Sequence, residues 1–103
     1  MKFARFLPEI FDDLSGAAND YDEAGGKVLG DRFIQCFYST VRRVSSTAEA
    51  HRLVYGDFRQ TLLQPFPYKL YFRIVANDIV FSLLIHAARD PKLVRRLLRQ
   101  RSN

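Results

Sequence analysis

The strongest constraint on what this chain can fold into lies in its second half, where two neighbouring runs carry strand patterns. Residues 68–75 alternate, with Leu70, Phe72 and Ile74 set against Lys69, Tyr71 and Arg73. A period of two puts one set on a core and the other on the opposite face of a sheet. Residues 79–85 are apolar at every position but Ser82, as expected for a strand covered on both faces. Asn77-Asp78 between them is a tight-turn signal, so the two runs should form an antiparallel hairpin. Residues 58–63 also alternate and supply a third strand, and Pro65 and Pro67 break the connection that follows.

The first half has a different period. Residues 2–7 are short, alternating and closed by Pro8, which suits a strand followed by the first turn of a helix. Ile10, Phe11, Leu14, Ala17, Ala18 and Tyr21 then recur at three-and-four spacing, with Glu9, Asp12 and Asp13 near the positive end of the helix dipole. Gly25-Gly26 ends that helix, glycine being the residue that most readily takes the conformation a helix terminus needs. A second stripe runs through Leu29, Phe33, Cys36, Phe37, Val41 and Val44, with Asp31, Arg32, Gln35, Arg42 and Arg43 toward solvent, and ends near Ser45-Ser46. Two stripes that each need covering predict an antiparallel helical hairpin. Residues 48–57 lack a clear period and are expected to form a loop. After Asp90-Pro91, an N-cap and first-turn pair, residues 92–101 place Leu93, Val94, Leu97 and Leu98 on one side and Arg95, Arg96 and Arg99 largely on another.

The expectation is one α+β domain spanning residues 1–103: an N-terminal strand and helical hairpin packed on a small antiparallel-rich sheet, closed by a short basic C-terminal helix. The sheet face away from the hairpin is expected to expose Arg59, Thr61, Lys69, Tyr71 and Arg73. With 48% hydrophobic and 26% charged residues the chain is of ordinary globular composition, and its length allows a single core.

Charge narrows the partners. Residues 1–31 hold seven acids and three bases, whereas residues 32–103 hold thirteen bases and four acids. A basic surface of this kind favours phosphate backbones or an acidic protein partner. No apolar run approaches the ~20 residues of a membrane helix, and acids interrupt any leader near the N-terminus, so no membrane is expected and the cytoplasm is the default. Cys36 stands alone, and His51 and His86 have no zinc-ligand spacing. Neither a metal nor another cofactor is expected.

The run Phe66-Pro67-Tyr68-Lys69-Leu70-Tyr71-Phe72-Arg73-Ile74, then Asp78-Ile79-Val80 and Leu84-Ile85-His86 ahead of Arg89-Asp90-Pro91, resembles the C-terminal half of RelE/ParE-family toxins. Leu7-Pro8-Glu9 with Asp13-Leu14 and Tyr21, Leu29-Gly30-Asp31-Arg32-Phe33, and Tyr55-Gly56-Asp57 ahead of Phe58-Arg59 are similar to that family's first half. The resemblance implies the toxin of a type II toxin–antitoxin system, a growth inhibitor held inactive by a cognate antitoxin through an acidic, partly disordered segment. It also implies contact with operator DNA only through that antitoxin.

Two activities occur among the proteins it resembles. ParE-like members bind and trap DNA gyrase without chemistry of their own; RelE-like members are ribosome-dependent endoribonucleases that cut mRNA. Cleavage requires a general base, a general acid and cations at the phosphorane. Candidates are Arg59, Lys69, Arg73 and Arg89 as cations, with His86 and Tyr71 as acid–base groups. A histidine at the end of a buried strand more simply caps the following loop, and Tyr71 more simply packs in the sheet. RelE-like sequences tend to place a tyrosine in the C-terminal segment, whereas this chain has Leu93 and Val94 there and ends Arg101-Ser102-Asn103. The sequence therefore leans toward ParE, with Arg59, Lys69, Arg73, Arg89, Arg95, Arg96 and Arg99 as the surface for target or antitoxin. An inactive member that binds only its antitoxin and operator DNA is a third reading.

Overall fold

A computed structural model describes residues 2–102. Strand β1 (Phe3–Phe6) leads into helices α1 (Glu9–Gly25) and α2 (Lys27–Thr47), a single 3-10 turn (Ala48–Ala50), strands β2 (Leu53–Tyr55), β3 (Phe58–Leu62), β4 (Tyr68–Val75) and β5 (Asp78–His86), and helix α3 (Pro91–Gln100). The five strands form one sheet in the order β1-β5-β4-β3-β2. The pair β1–β5 is parallel and the other pairs are antiparallel. The α+β architecture is thus the expected one, with one strand more. Residues 53–55, expected as loop, zip onto β3 as a three-residue edge strand, too short to show a period.

The helical hairpin forms because each apolar stripe covers the other and both cover the sheet. Ile10, Leu14, Ala17 and Ala18 of α1 meet Phe33, Phe37, Val41 and Val44 of α2 over Leu70, Phe72, Ile79, Phe81 and Leu84. Gly26, with φ of +85°, makes the reversal between helices. Gly30 sets how closely the helices approach: a β-carbon there would lie 2.8 Å from the carbonyl oxygen of Ala18. The β4–β5 loop is Ala76-Asn77, one residue earlier than the turn signal indicated, with Val75 opposite Asp78 and Ala76 at φ +55°.

Strand β5 is apolar along its length because it serves two cores, and a bulge changes its phase between them. Tyr71 lies opposite Leu83 and Phe72 opposite Phe81, leaving Ser82 as the extra residue. Ile79, Phe81 and Leu84 therefore face the hairpin, while Leu83 and Ile85 face the other way. That second face is not open. Helix α3 lies across it, and Val94 and Leu98 close a second core with Phe58, Tyr71, Leu83 and Ile85.

Candidate functional site

Strand register, a cap and one amphipathic helix together build a groove beside α3. Lys69 and Tyr71 alternate on the α3-facing side of β4, and His86 ends β5 opposite Tyr68. The chain then turns through Arg89 to Asp90, whose Oδ1 accepts the Lys92 amide at 2.9 Å. With Pro91 in the first turn, this fixes where α3 starts and sends it back over the sheet. The space left between helix and sheet is a groove of about 150 Å³. Tyr55, Lys69, Tyr71, His86, Arg89 and Arg95 are among its lining residues.

Among the described residues, no acid lines this groove. Among the described residues, Arg89, Lys92, Arg95, Arg96 and Arg99 pair with no carboxylate; Arg99 instead donates to the Tyr55 hydroxyl at 3.3 Å. Repulsion along α3 is tolerated because these charges are solvated, and the result is a positive rim around an apolar floor.

Of the acid–base candidates, Tyr71 is 5% exposed, and burial raises its pKa, so its phenol keeps its proton. His86 uses Nδ1 to accept the Ala88 amide at 3.0 Å, which fixes the turn after β5, and its ring meets that of Tyr68 at 5.2 Å between centroids. Its Nε2 is the remaining nitrogen available for proton transfer.

The cation candidates separate into two groups. Lys69, Arg89 and Arg95 line the groove, and Arg96 and Arg99 stand on the same helix. Arg73 shares a face with Lys69 but lies four residues along the strand, roughly 13 Å away. It stacks over Phe58 at 5.3 Å and pairs with Asp57 at 3.5 Å. Arg59, expected on the same face, is on the opposite one. Its partner across the ladder is Phe72, which faces the helical hairpin, and its Nη1 donates to the carbonyls of Glu49 and His51 at 3.1 and 2.7 Å. Thr61 likewise faces the hairpin, accepting from Arg43 of α2 at 3.4 Å. The expectation of an exposed face bearing Arg59, Thr61, Lys69, Tyr71 and Arg73 is therefore corrected. The strand at residues 58–63 has the opposite phase from the one assumed, because Phe58 packs under α3, and α3 covers the centre of that face.

Sequence reasoning missed two features. Tyr55 enters the groove wall from the short strand β2, which has no pattern of its own. Arg101, at the end of α3, reaches the Asp13 carboxylate on α1 with Nη1 and Nη2, at 2.5 and 3.1 Å. A conformational latch between chain ends has no local signal.

No protein-family model matches the chain, and no curated protein matches it. Among solved structures, a chain of the "Chromosomal ParDE TA system from P. aeruginosa" superposes with a TM-score of 0.76. The match covers 84% of this chain and 96% of that one, at 16% identity. The fold is that of a ParDE chain. In this ParDE-like fold, the expected order of strand, helical hairpin, sheet and terminal helix is present throughout. No described helix is long and apolar enough to cross a membrane, and no cluster of three or more metal-ligating side chains occurs among the described residues.

Proposed function

We propose that this chain is the toxin of a type II toxin–antitoxin pair, neutralised by a cognate antitoxin, and that it arrests growth by binding DNA gyrase rather than by cutting RNA. The class rests on the ParDE-like fold. The mechanism rests on one observation: helix α3 packs Val94 and Leu98 over the sheet face, so most of that face is core and what stays open beside Tyr71 is a groove of about 150 Å³ with a basic rim, not a broad catalytic floor. A binding surface needs only that rim. Arg89, Arg95, Arg96 and Arg99 present cations around an apolar groove, the arrangement that steers and anchors an acidic partner. An antitoxin segment rich in acids would occupy the same rim and so compete with the target.

Ribosome-dependent mRNA cleavage is the second reading, favoured by the convergence of Lys69, His86, Arg89 and Arg95 on one groove. In that reading His86 Nε2 is the proton-transfer group and the cations hold the scissile phosphate. The distinguishing experiment applies DNA supercoiling and translation assays to the same purified protein. Inhibited supercoiling with intact transcripts is expected; transcripts cut within codons while supercoiling continues would establish the ribonuclease instead.

A further inference from the structure

A second groove, of about 440 Å³, runs along the other side of α3, between it and α1. Leu83, Leu84 and Ile85 of β5 line its floor, Leu93 and Leu97 its α3 wall, and Asp12, Gly16 and Asp20 its α1 wall. The two helices are antiparallel here. At one end Arg101 of α3 grips Asp13 near the start of α1. At the other, Asp20 and Arg89 stand near Tyr68: burial, Tyr21 and Asp20 raise its pKa and Arg89 opposes them. Gly16, midway between Asp13 and Asp20, is therefore level with the middle of α3.

Both walls carry groups that the chain itself leaves unmatched. Leu93 and Leu97 pack against the second core on one side only and stay half-buried. Asp12 and Asp20 are exposed and pair with no cation among the described residues. Each lies one helical turn from Gly16, where a methyl group would meet nothing within 4 Å. The groove thus offers an apolar strip beside open space flanked by two carboxylates.

We propose that a second copy of this chain docks on this groove through its own α3. The two α3 helices lie antiparallel about a two-fold axis, with Leu93 of each against Leu97 of the other and Arg96 of each over the other's Gly16, between Asp12 and Asp20. Charge complementarity selects this occupant. The groove calls for a helix with an apolar strip and a cation beside it. Arg96 is three positions after Leu93 and next to Leu97, so it borders that strip; it is exposed and has no carboxylate partner among the described residues. A two-fold axis makes every such contact twice and closes the assembly. Helix α3 has ten residues, so the contact is small and association should be weak and concentration-dependent. Arg95 lines the groove on the opposite side of α3 and stays open in the dimer, so the inference stands whichever target the toxin has.

The test is sedimentation equilibrium of the purified full chain from about 5 to about 200 μM. The wild type should move from monomer to dimer. R96E and D12K/D20K, each placing like charges across the axis, should weaken the dimer roughly tenfold or more. Mixed in equal amounts, with one of them labelled, the two variants should associate with each other about as well as the wild type does with itself. A misfolded chain could not be rescued in this way. R95E changes the net charge by as much as R96E but on the far side of α3, so it should neither weaken the dimer nor associate with D12K/D20K. A wild type that stays monomeric at the highest concentration would overturn the proposal and leave the groove to a different chain. A dimer indifferent to R96E, or as sensitive to R95E, would overturn it too.

Discussion

Asp13 and Arg101, 88 positions apart, form a two-pronged ion pair that ties the end of α3 to the first turns of α1. Both side chains are 14% exposed. The bulge at Ser82 completes the arrangement: the Ser82 carbonyl accepts a further bond from Arg101 at 3.0 Å, and the Leu84 amide donates to Asp13 at 3.1 Å. One carboxylate and one guanidinium thus satisfy backbone groups that the bulge leaves unpaired.

Removing Asp13 strands a largely buried guanidinium and an amide together. Asp13→Ala should cost about 2–3 kcal/mol in urea denaturation, and residues 91–100 should exchange amide hydrogens faster than the sheet does. Arg101→Lys, which keeps the charge but loses the fork, should fall between it and the wild type. Uniformly faster exchange across the whole chain would show that α3 is not a separately latched unit.

Two glycines within helices should respond in opposite directions. At Gly30 a methyl group meets the Ala18 carbonyl and the Asp22 side chain, so Gly30→Ala should push α1 from α2 at a cost of about 1–3 kcal/mol. At Gly16 a methyl group meets nothing within 4 Å, so Gly16→Ala should stabilise by up to about 1 kcal/mol through helix propensity. Thermal or urea unfolding of the two variants compares them directly, and a stabilised Gly30→Ala would mean that the helix crossing is looser than described.

What was legible in the sequence follows the range of each interaction. Periods of 3.6 and 2 report local geometry, so Phe33, Phe37 and Val44 on α2 and Leu70 and Phe72 on β4 fell on the core face. The side chains of β3 did not, because an alternating strand with apolar residues in both phases, Phe58 on one side and Leu63 on the other, does not say which phase is inward. Only the docking of α3 over Phe58 decides it, and that moves Arg59 to the other face. The same helix turned an expected open surface into a second core. Its amphipathic pattern was plain, but the place where it lands depends on Asp13, a residue at the far end of the chain.

His51 makes stability depend on pH. Burial, Arg43 and Arg59 lower its folded pKa below the ordinary value near 6.5, so the unfolded chain binds the proton more readily. Its contribution to stability is present above about pH 6.5 and is lost as the pH falls through and below that value. Arg43→Gln should raise the His51 midpoint followed by NMR, and His51→Gln should flatten the fall of stability between about pH 7 and 5. A midpoint that stays put in Arg43→Gln would mean that Arg43 does not act on the ring.

The α3 rim is the part of the surface on which the proposed toxicity depends, and its charges do little for folding. Arg95, Arg96 and Arg99 project from a helix held by Val94 and Leu98 and pair with no carboxylate among the described residues. Replacing Arg95 and Arg96 with alanine should therefore leave stability within about 0.5 kcal/mol, while relief of repulsion between neighbouring cations offsets part of any loss. Growth inhibition on induced expression should nevertheless fall sharply, and the residual activity should weaken further with rising salt in the supercoiling assay, as an electrostatic contact requires. Tyr71→Phe is the counterpart: its ring is held in the core under α3 and its hydroxyl makes no hydrogen bond among the described residues, so a gyrase-binding toxin should keep full activity, whereas a ribonuclease using that phenol would lose it by a factor of about 10² or more. An R95A/R96A variant as toxic as the wild type, beside an inactive Tyr71→Phe that still folds, would move the reading from binding to cutting.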